Sequence, residues 1–343
     1  NQARGKRVLQ STQPESGVLI DYGIVSEHVE FDLINLSSSG IEWLDSPLIT
    51  GTAKPIILQI NNPKLGANFS VAARFKGHSS INNSIAAHQI KILHNSLNGN
   101  QIGQIENWTG NTFRTLTANN QSFGLSEGAN IFYLLNSTND QNSLPYLDYF
   151  QIEYSKKLNF DESFTFTSPI NDQSTRFDFG TQIPNNISLW DISDPINIFS
   201  LEIDESGICN VQNHIDRPNR FIVFNKNELS AISNIYLKEN QNFNQLRNVN
   251  IQADYVIIGP EQFREEAFEL LDIRSPSLYA SIENIYNEFS AGNRDPMAIR
   301  SFIQWTQEYW RSPRPNHVLL LGDGGYDYRN ITGKSSIIVP TIQ

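Results

Sequence analysis

The sequence contains almost no cysteine, since Cys209 is the single one among 343 residues. One thiol cannot form a disulfide within the chain, so hydrophobic cores must stabilise the fold, and paired cysteines give no clue to the cellular compartment. Long apolar runs are lacking too. No stretch approaches the ~18 residues that a membrane-spanning helix needs, so no transmembrane segment is expected. The chain begins at Asn1 and not at methionine, which indicates a mature product or an excised piece.

Basic residues are scarce as well. The 25 lysines and arginines are outnumbered by 36 acidic residues, which gives a formal net charge of -11 and an isoelectric point near 5.0. Because no long basic run offsets this excess, neither a nucleic acid nor an anionic membrane surface is expected as a partner. Proteins or small molecules are the expected partners.

Strand patterns dominate the chain up to about residue 245. Short apolar alternations separated by Asn, Gly, Ser and Pro predict strands at 56–60, 69–75, 90–93, 131–135 and 149–154. This spacing, without a convincing helix between the strands, predicts a β-sandwich or jelly-roll domain over residues 1–158. Weaker strand patterns continue, and they predict a second small β-rich region over residues 159–248.

The pattern changes after Asn250. Apolar runs predict strands at 255–258, 277–281 and 317–321. Between them, helical spacing predicts one helix beginning near Phe263, and Asp295 with Pro296 predicts the N-cap and first turn of another. Strands that alternate with helices in this way indicate a parallel sheet covered on both faces, over residues 249–343.

A loop rich in glycine and aspartate follows the last of these strands, in the stretch VLLLGDGGYDY at residues 318–328. Open α/β sheets bind ligands beyond the carboxyl ends of their strands. If the last strand is central and parallel, the loop lies at that edge. We therefore take Asp323, Gly324, Gly325 and Asp327 as candidate residues beside a cleft.

Two standard ligand loops do not fit this stretch. A phosphate-binding P-loop ending in Gly333, Lys334 and Ser335 would need a glycine at Tyr328, and an EF-hand would need oxygen ligands where Gly325 and Lys334 stand. No metal ligands are therefore assigned and no cofactor is expected with certainty.

Three readings of the two aspartates stay open. They could act as an acid/base pair across a glycine turn. Asp323 could instead accept backbone hydrogen bonds, with Gly324 and Gly325 at positive φ. The pair could also hold a structural cation such as calcium.

Other candidate pairs are weaker. Cys209 and His214 have the residue types of a thiol–imidazole pair, but such neighbours are common by chance, and a structural thiol is the expected role. His88 and His94 flank an alternating run, where they would point the same way but lie about 20 Å apart. They cannot share a metal ion.

The chain from residue 240 onward resembles the gingipain-like cysteine peptidases. The resemblance is carried, in order, by NQNFNQL at 240–246, ADYVII at 253–258, IYNEFSAG at 285–292, DPMAIR at 295–300, the loop at 318–328 and VPT at 339–341. Upstream, YLDYFQIEY at 146–154 and LWDISDP at 189–195 resemble the β-rich region that precedes the peptidase domain in that family. Several motifs in the right order are more specific than any one alone.

This resemblance implies a caspase-like α/β peptidase domain with a catalytic His and Cys. It is greatest to the members that act as the sortase of the bacterial type IX secretion system. The implied activity is removal of C-terminal signals from exported proteins, followed by attachment of the product to surface lipopolysaccharide. The implied partners are exported substrates with C-terminal secretion signals and other type IX secretion components. The implied location is the cell surface or outer membrane, after export.

One departure from the family is important. Its catalytic His and Cys follow the Val-Pro-Thr segment, and this chain ends at Gln343 without positions for them. The resemblance therefore implies a β-rich sandwich region followed by an incomplete caspase-like domain with a parallel sheet, and no catalytic residue within the chain. Cys209 lies upstream and is not carried over. An alternative is a non-catalytic surface module that binds glycan or protein, with Trp43 and Trp108 as aromatic candidates.

Overall fold

The structure is a computed structural model that describes residues 8–11, 17–169, 174–181, 183–184, 186–214, 217–230, 245–333 and 339–340. It divides into two compact units. Unit 1 comprises Asn1–Phe31 and Asp45–Ser233, and unit 2 comprises Asp32–Leu44 and Asn234–Gln343. Parts of the sequence motifs above lie outside the described residues, namely 240–244, Lys334, Ser335, Thr341 and Gln343.

Unit 1 consists almost entirely of strands. Its described strands are β1 (Leu9–Gln10), β2 (Val18–Ile20), β3 (Tyr22–Glu30), β4 (Ala53–Ile60), β5 (Phe69–Lys76), β6 (Ala87–His94), β7 (Asn100–Thr109), β8 (Phe113–Gln121), β9 (Gly128–Asn136), β10 (Tyr146–Lys157), β11 (Phe164–Thr167), β12 (Thr175–Asp178), β13 (Ile187–Asp191), β14 (Phe199–Leu201), β15 (Ile208–Val211) and β16 (Arg220–Asn225). A single 3-10 turn, Lys226–Glu228, follows β16 in the described part. The predicted β-rich character is confirmed, because each strand predicted before residue 158 lies within an observed one.

These strands form three sheets. The nine-stranded sheet has the order β1-β14-β13-β16-β11-β3-β10-β5-β8, the four-stranded sheet β4-β9-β6-β7, and the three-stranded sheet β15-β12-β2. Strands from both predicted β-rich regions, residues 1–158 and 159–248, therefore share the nine-stranded sheet. The subdivision between those regions stays a prediction.

The core of unit 1 comes from strict alternation along the strands. In β5 every second residue is buried, from Phe69 through Phe75, as expected for a strand with one face on a core. The rings of Phe132 in the four-stranded sheet and Phe150 in the nine-stranded sheet are 5.0 Å apart, and Phe166 and Phe177 link the nine- and three-stranded sheets at 5.4 Å. Residues of all three sheets thus contribute to one hydrophobic core.

Unit 2 contains the α/β part. Its elements are β17 (Tyr255–Gly259), a 3-10 turn (Glu261–Phe263), α1 (Arg264–Ile273), β18 (Ser277–Ser281), α2 (Ile282–Phe289), α3 (Pro296–Tyr309) and β19 (His317–Leu320). The sheet order is β18-β17-β19, and both pairings are parallel. Alternate residues of β17 face opposite sides: Val256 and Ile258 share a cluster with α2 and α3, whereas Ile257 contacts Ala267 of α1. Among the described helices of both units, none is long and apolar enough to span a membrane.

Helices α2 and α3 begin with side-chain caps of the ordinary kind, whereas α1 begins after Phe263 without one. The Asp295 carboxylate accepts a hydrogen bond from the Met297 amide at 2.8 Å, and Pro296 opens α3 as predicted. The sequence interpretation did not predict α2. Its signals are Ser281, whose hydroxyl caps the helix, and the buried Ile282, Ile285 and Tyr286 at helical spacing.

The last strand does not have the central position that was stated above as a condition for placing the loop. Strand β17 is central, and β19 lies at the edge of the sheet in the part of the chain that the structure describes. Its side chains are correspondingly open: Val318 is 39% exposed and Leu320 41%. An apolar run alone cannot tell a central strand from an edge strand, because both have the same local pattern.

Candidate functional site at the carboxyl edge of the parallel sheet

The carboxyl ends of β17 and β19 approach each other closely. The Leu321 amide donates to the Ile258 carbonyl at 2.7 Å, just beyond the end of β19. A Cβ atom at Gly259 would lie 2.6 Å from the Tyr279 hydroxyl and 2.9 Å from the Leu321 carbonyl oxygen. A glycine at this position therefore permits the loop after β19 to leave the sheet beside β17.

Asp327 organises the second half of this loop. Its carboxylate accepts hydrogen bonds from the Ile331 amide at 2.7 Å, the Thr332 amide at 2.9 Å and the Thr332 hydroxyl at 2.6 Å. Removal from water raises the pKa of Asp327, but the hydrogen bonds from Thr332 and Ile331 and the charge of Arg329 outweigh it, so the pKa is lowered. Asp327 is thus an ionised, buried carboxylate that holds a turn.

Asp323 has a different environment. It is exposed, and its backbone carbonyl accepts a hydrogen bond from the Val339 amide at 3.0 Å. The turn-forming role that the sequence interpretation offered to Asp323 belongs to Asp327. The positive φ expected at Gly324 and Gly325 occurs instead at Gly322, with φ of 144°. The structure leaves Asp323 as the aspartate of this loop that faces solvent; whether it borders a cleft stays a prediction.

A segment from the N-terminal part of the chain also reaches this loop. Residues 32–44 belong to unit 2. The Arg329 guanidinium lies 3.0 Å from the Asp32 carboxylate, and the rings of Trp43 and Tyr326 are 6.1 Å apart. The sequence interpretation missed this contact, and no local signal could have found it, because the partners lie nearly three hundred positions apart.

The ends of β17 and β18 have their own polar groups. Glu261 binds the Arg264 guanidinium, and hydrogen bonds from Arg264 and from Ser281 lower the pKa of this carboxyl despite partial burial. The Tyr279 hydroxyl donates to the Pro260 carbonyl at 2.6 Å, and burial raises the pKa of Tyr279 to about 12. The ionised Glu261 carboxylate and the neutral Tyr279 hydroxyl both hold the loops after these strands in place through their hydrogen bonds. They offer no activated nucleophile.

The other candidates lie in unit 1. Cys209 on β15 is fully buried, and burial, with Asp204 nearby, raises the pKa of its thiol to about 12. A thiol of this kind is not a nucleophile at neutral pH, which agrees with the structural role expected for it.

The two histidines on β6 are structural in the same sense. The Nδ1 of His88 and the Ser143 hydroxyl are 2.7 Å apart, and the Nε2 of His94 lies 3.2 Å from the Asn130 side-chain oxygen. Burial lowers the pKa of both rings. Trp108 packs on His88 with ring centres 4.8 Å apart.

Across the part of the chain that the structure describes, no three His, Cys, Asp or Glu side chains are grouped so that they could hold a metal ion. Calcium at the two aspartates therefore stays an untested expectation. The geometry that is present is a shaped loop at the carboxyl edge of a parallel sheet, with one buried and one exposed aspartate.

Comparisons with known proteins agree with this geometry. Residues 248–343 match the model of peptidase family C25. Among solved structures, dimeric latent PorU from Porphyromonas gingivalis matches 98% of this chain and 34% of its own, with a TM-score of 0.74 and 17% identity. The two share a fold, and this chain spans about a third of the length of that PorU chain. Together these findings confirm the resemblance to gingipain-like peptidases.

Other comparisons add little. No curated protein matches the chain in sequence. The carbohydrate-binding module CBM36, solved with calcium and xylotriose, matches 37% of this chain and 98% of its own, at 14% identity and a TM-score of 0.25. A CBM36-1 domain of a xylanase from the hindgut metagenome of Trinervitermes trinervoides matches 37% of this chain and 96% of its own, at 13% identity and a TM-score of 0.25. Likenesses this low say nothing about glycan binding.

Proposed function

We propose that this chain is part of a gingipain-like cysteine peptidase that acts as the sortase of a type IX secretion system. One observation carries the proposal: the C25 match at residues 248–343 covers the parallel sheet and its glycine-aspartate loop, within a chain that shares its fold with PorU over 98% of its length. The parent protein would remove C-terminal signals from exported proteins and transfer the products to surface lipopolysaccharide. It would work at the cell surface or outer membrane, with other type IX secretion components.

In this proposal unit 1 is the β-sandwich region and unit 2 is an incomplete caspase-like domain. The position of β19 at the edge of the described part of the sheet supports the proposal that the caspase-like domain is incomplete. Val318 and Leu320 are exposed apolar side chains on an edge strand, and parallel strands normally lie buried in α/β domains. A further strand beside β19 would bury them and continue the sheet.

The nucleophile of the proposed peptidase is not Cys209. That thiol is buried, is protonated at neutral pH and lies outside the C25 match. Since the chain has no second cysteine, the catalytic Cys and its His would come from residues outside this sequence. The thiolate would attack the peptide carbonyl, and the imidazolium would give its proton to the departing amine. Water or an acceptor amine would then attack the thioester and release the thiol.

This chain would contribute one wall of the cleft. Asp327 would maintain the loop, while Asp323, Gly324 and Gly325 would lie nearest the substrate. Asp323 and Asp327 are not proposed as a direct acid/base pair, because the Asp327 oxygens already accept three hydrogen bonds.

The test is a protein whose reading frame continues beyond Gln343, assayed with a peptide that spans the C-terminal signal junction of an exported protein. We expect cleavage by the longer protein and none by the present chain. Cys209→Ala in the longer protein should leave the rate unchanged. Transfer of the acyl part to an added amine, detected by mass spectrometry, would separate a sortase from a simple peptidase. Cleavage by residues 1–343 alone, or its loss in Cys209→Ala, would overturn the proposal.

The glycan-binding alternative has no specific observation in its favour. Trp43 is only 5% exposed, and Trp108 packs on His88 and Phe75. Neither ring forms an open platform of the kind on which sugars stack.

A further inference from the structure

We infer that residues 32–44 are a positioning segment of the peptidase-like unit, which holds the loop at 322–333 in shape. A stretch that interrupts the β-rich part of the sequence would thereby help to build the wall of the proposed cleft. The inference rests on the proposed function only in calling the space beside the loop at 322–333 a cleft. The contacts themselves do not depend on it.

The segment has an internal structure of its own. Ile34 and Leu44 exchange two backbone hydrogen bonds of 2.8 Å, which closes residues 34–44 into a loop. Leu44 is fully buried. Within the loop, the Ser39 amide donates to the Asn35 side-chain oxygen at 3.0 Å. Because the segment is closed by these hydrogen bonds and anchored by Leu44, it can hold the loop residues that it contacts in a fixed position.

Three contacts of different kinds join this segment to the loop. Asp32 and Arg329 form the ion pair of 3.0 Å. The ring of Trp43 lies beside the ring of Tyr326. Gly40 is buried, and a Cβ atom there would lie 3.1 Å from the Tyr326 carbonyl oxygen. A charge, a ring and a close backbone approach thus all act on the residues from 326 to 329.

The close approach at Gly40 is the most specific of the three. The same Cβ atom would lie 3.3 Å from the Tyr328 ring, so a side chain at position 40 would press on both the Tyr326 carbonyl and the Tyr328 ring. Both tyrosines flank Asp327, whose carboxylate orders the following turn through Ile331 and Thr332. Asp327 therefore holds the loop from within, and residues 32–44 hold it from outside.

The inference can be tested in the full chain by hydrogen exchange of a peptide covering residues 322–333. Asp32→Asn should speed exchange there by about twofold to fivefold, as expected for a partly exposed ion pair. Gly40→Val should have a larger effect, and Gly40→Ala an intermediate one that serves if the valine variant does not fold. The charge-swapped pair Asp32→Arg with Arg329→Asp should restore slow exchange.

Two controls separate positioning from general destabilisation. Asp21→Asn removes another exposed ion pair, with Lys64 at 2.7 Å in unit 1, and should leave exchange at 322–333 unchanged. Alkylation of the buried Cys209 reports opening of unit 1 and should stay equally slow in every variant.

The inference is overturned if Asp32→Asn and Gly40→Ala leave exchange at 322–333 unchanged. It is overturned as well if they accelerate Cys209 alkylation to the same extent, or if the charge swap fails to rescue. Since none of these readouts uses peptidase activity, they stand or fall separately from the proposed function.

Discussion

The two units differ in the residues that their edge strands carry. Strand β4 is an edge of the four-stranded sheet in unit 1, and it carries Lys54, Pro55 and Gln59. Charges and proline on an edge strand prevent another strand from pairing with it. Strand β19 in unit 2 reads His317, Val318, Leu319 and Leu320, without either device. The first edge therefore resists pairing with another strand, whereas the described residues of β19 carry no such protection.

The units differ equally in where their reactive side chains lie. Unit 1 buries Cys209, His88 and His94 inside its sheets, where low pKa values for the rings and a high one for the thiol keep them uncharged. Unit 2 places Glu261 and Asp323 at the carboxyl edge of its sheet. Unit 1 therefore keeps these three groups inside its core, whereas unit 2 has carboxylates at the carboxyl edge of its sheet.

The strongest test of this comparison changes the edge of β19. We expect the chain to self-associate through the exposed edge of β19. Val318→Lys together with Leu320→Lys should abolish this association, because charged side chains on an edge strand oppose pairing between molecules. Sedimentation velocity at increasing protein concentration would measure it. The matched control is Ile57→Lys on β4, where an exposed apolar residue lies on an edge that is already protected. A parent chain that stays monomeric at high concentration would contradict the prediction.

The core of unit 2 offers the next largest effect. Phe302 on α3 is fully buried against Phe289 and Trp310. Phe302→Ala should lower the free energy of unfolding by about 3–5 kcal/mol. Phe268→Ala on α1, where the ring is 52% exposed, should change it by less than about 0.5 kcal/mol. Urea unfolding followed by tryptophan fluorescence would measure the free energy of unfolding of both variants. Equal decreases would mean that Phe302 of α3 is no more important to the core than the exposed Phe268.

The Asp327 turn should show a smaller and more local effect. Asp327→Ala leaves the Ile331 and Thr332 amides without their carboxylate, at a cost of about 1–3 kcal/mol. Hydrogen exchange at residues 330–333 should accelerate accordingly. Asp323→Ala should have no such effect, because the interaction at that position uses the backbone carbonyl. Faster exchange in the Asp323 variant than in the Asp327 variant would reverse the roles assigned to the two aspartates.

The smallest expected effect is a pH dependence from unit 1. Burial lowers the pKa of His88 and His94 below the ordinary value of 6.5. As the pH falls through 6.5, the unfolded chain binds protons before the folded one, so the free energy of unfolding decreases below that pH and is unaffected above it. Urea titrations between pH 5 and 8 would measure this.

Variants isolate the contribution of the histidines. His88→Gln should flatten the decrease between pH 6.5 and 5, and His94→Gln should do the same, because burial lowers the pKa of both rings. Parallel curves for all three proteins would show that the buried histidines do not cause the pH dependence.

Local patterns predicted the elements of unit 2 well. Strand β18 has the predicted limits, Ser277–Ser281, and Asp295 caps α3 as expected. A hydrophobic period or a capping residue is decided by neighbours a few positions away, so it can be seen in the sequence. Helix α2 could have been predicted on the same grounds, from Ser281 and the spacing of Ile282, Ile285 and Tyr286.

The sequence by itself determined the alternation of strands and helices in unit 2 apart from α2, the place of the glycine-aspartate loop after β19, and the family motifs. Tertiary structure decided which aspartate is buried, that β19 lies at the edge of the described part of its sheet, that Cys209 is buried inside unit 1, and that residues 32–44 contact Arg329. The physical reason is the range of the interactions. Burial and strand pairing depend on residues that are distant along the chain. Such a distant partner produces neither a hydrophobic period nor a capping residue in the local sequence.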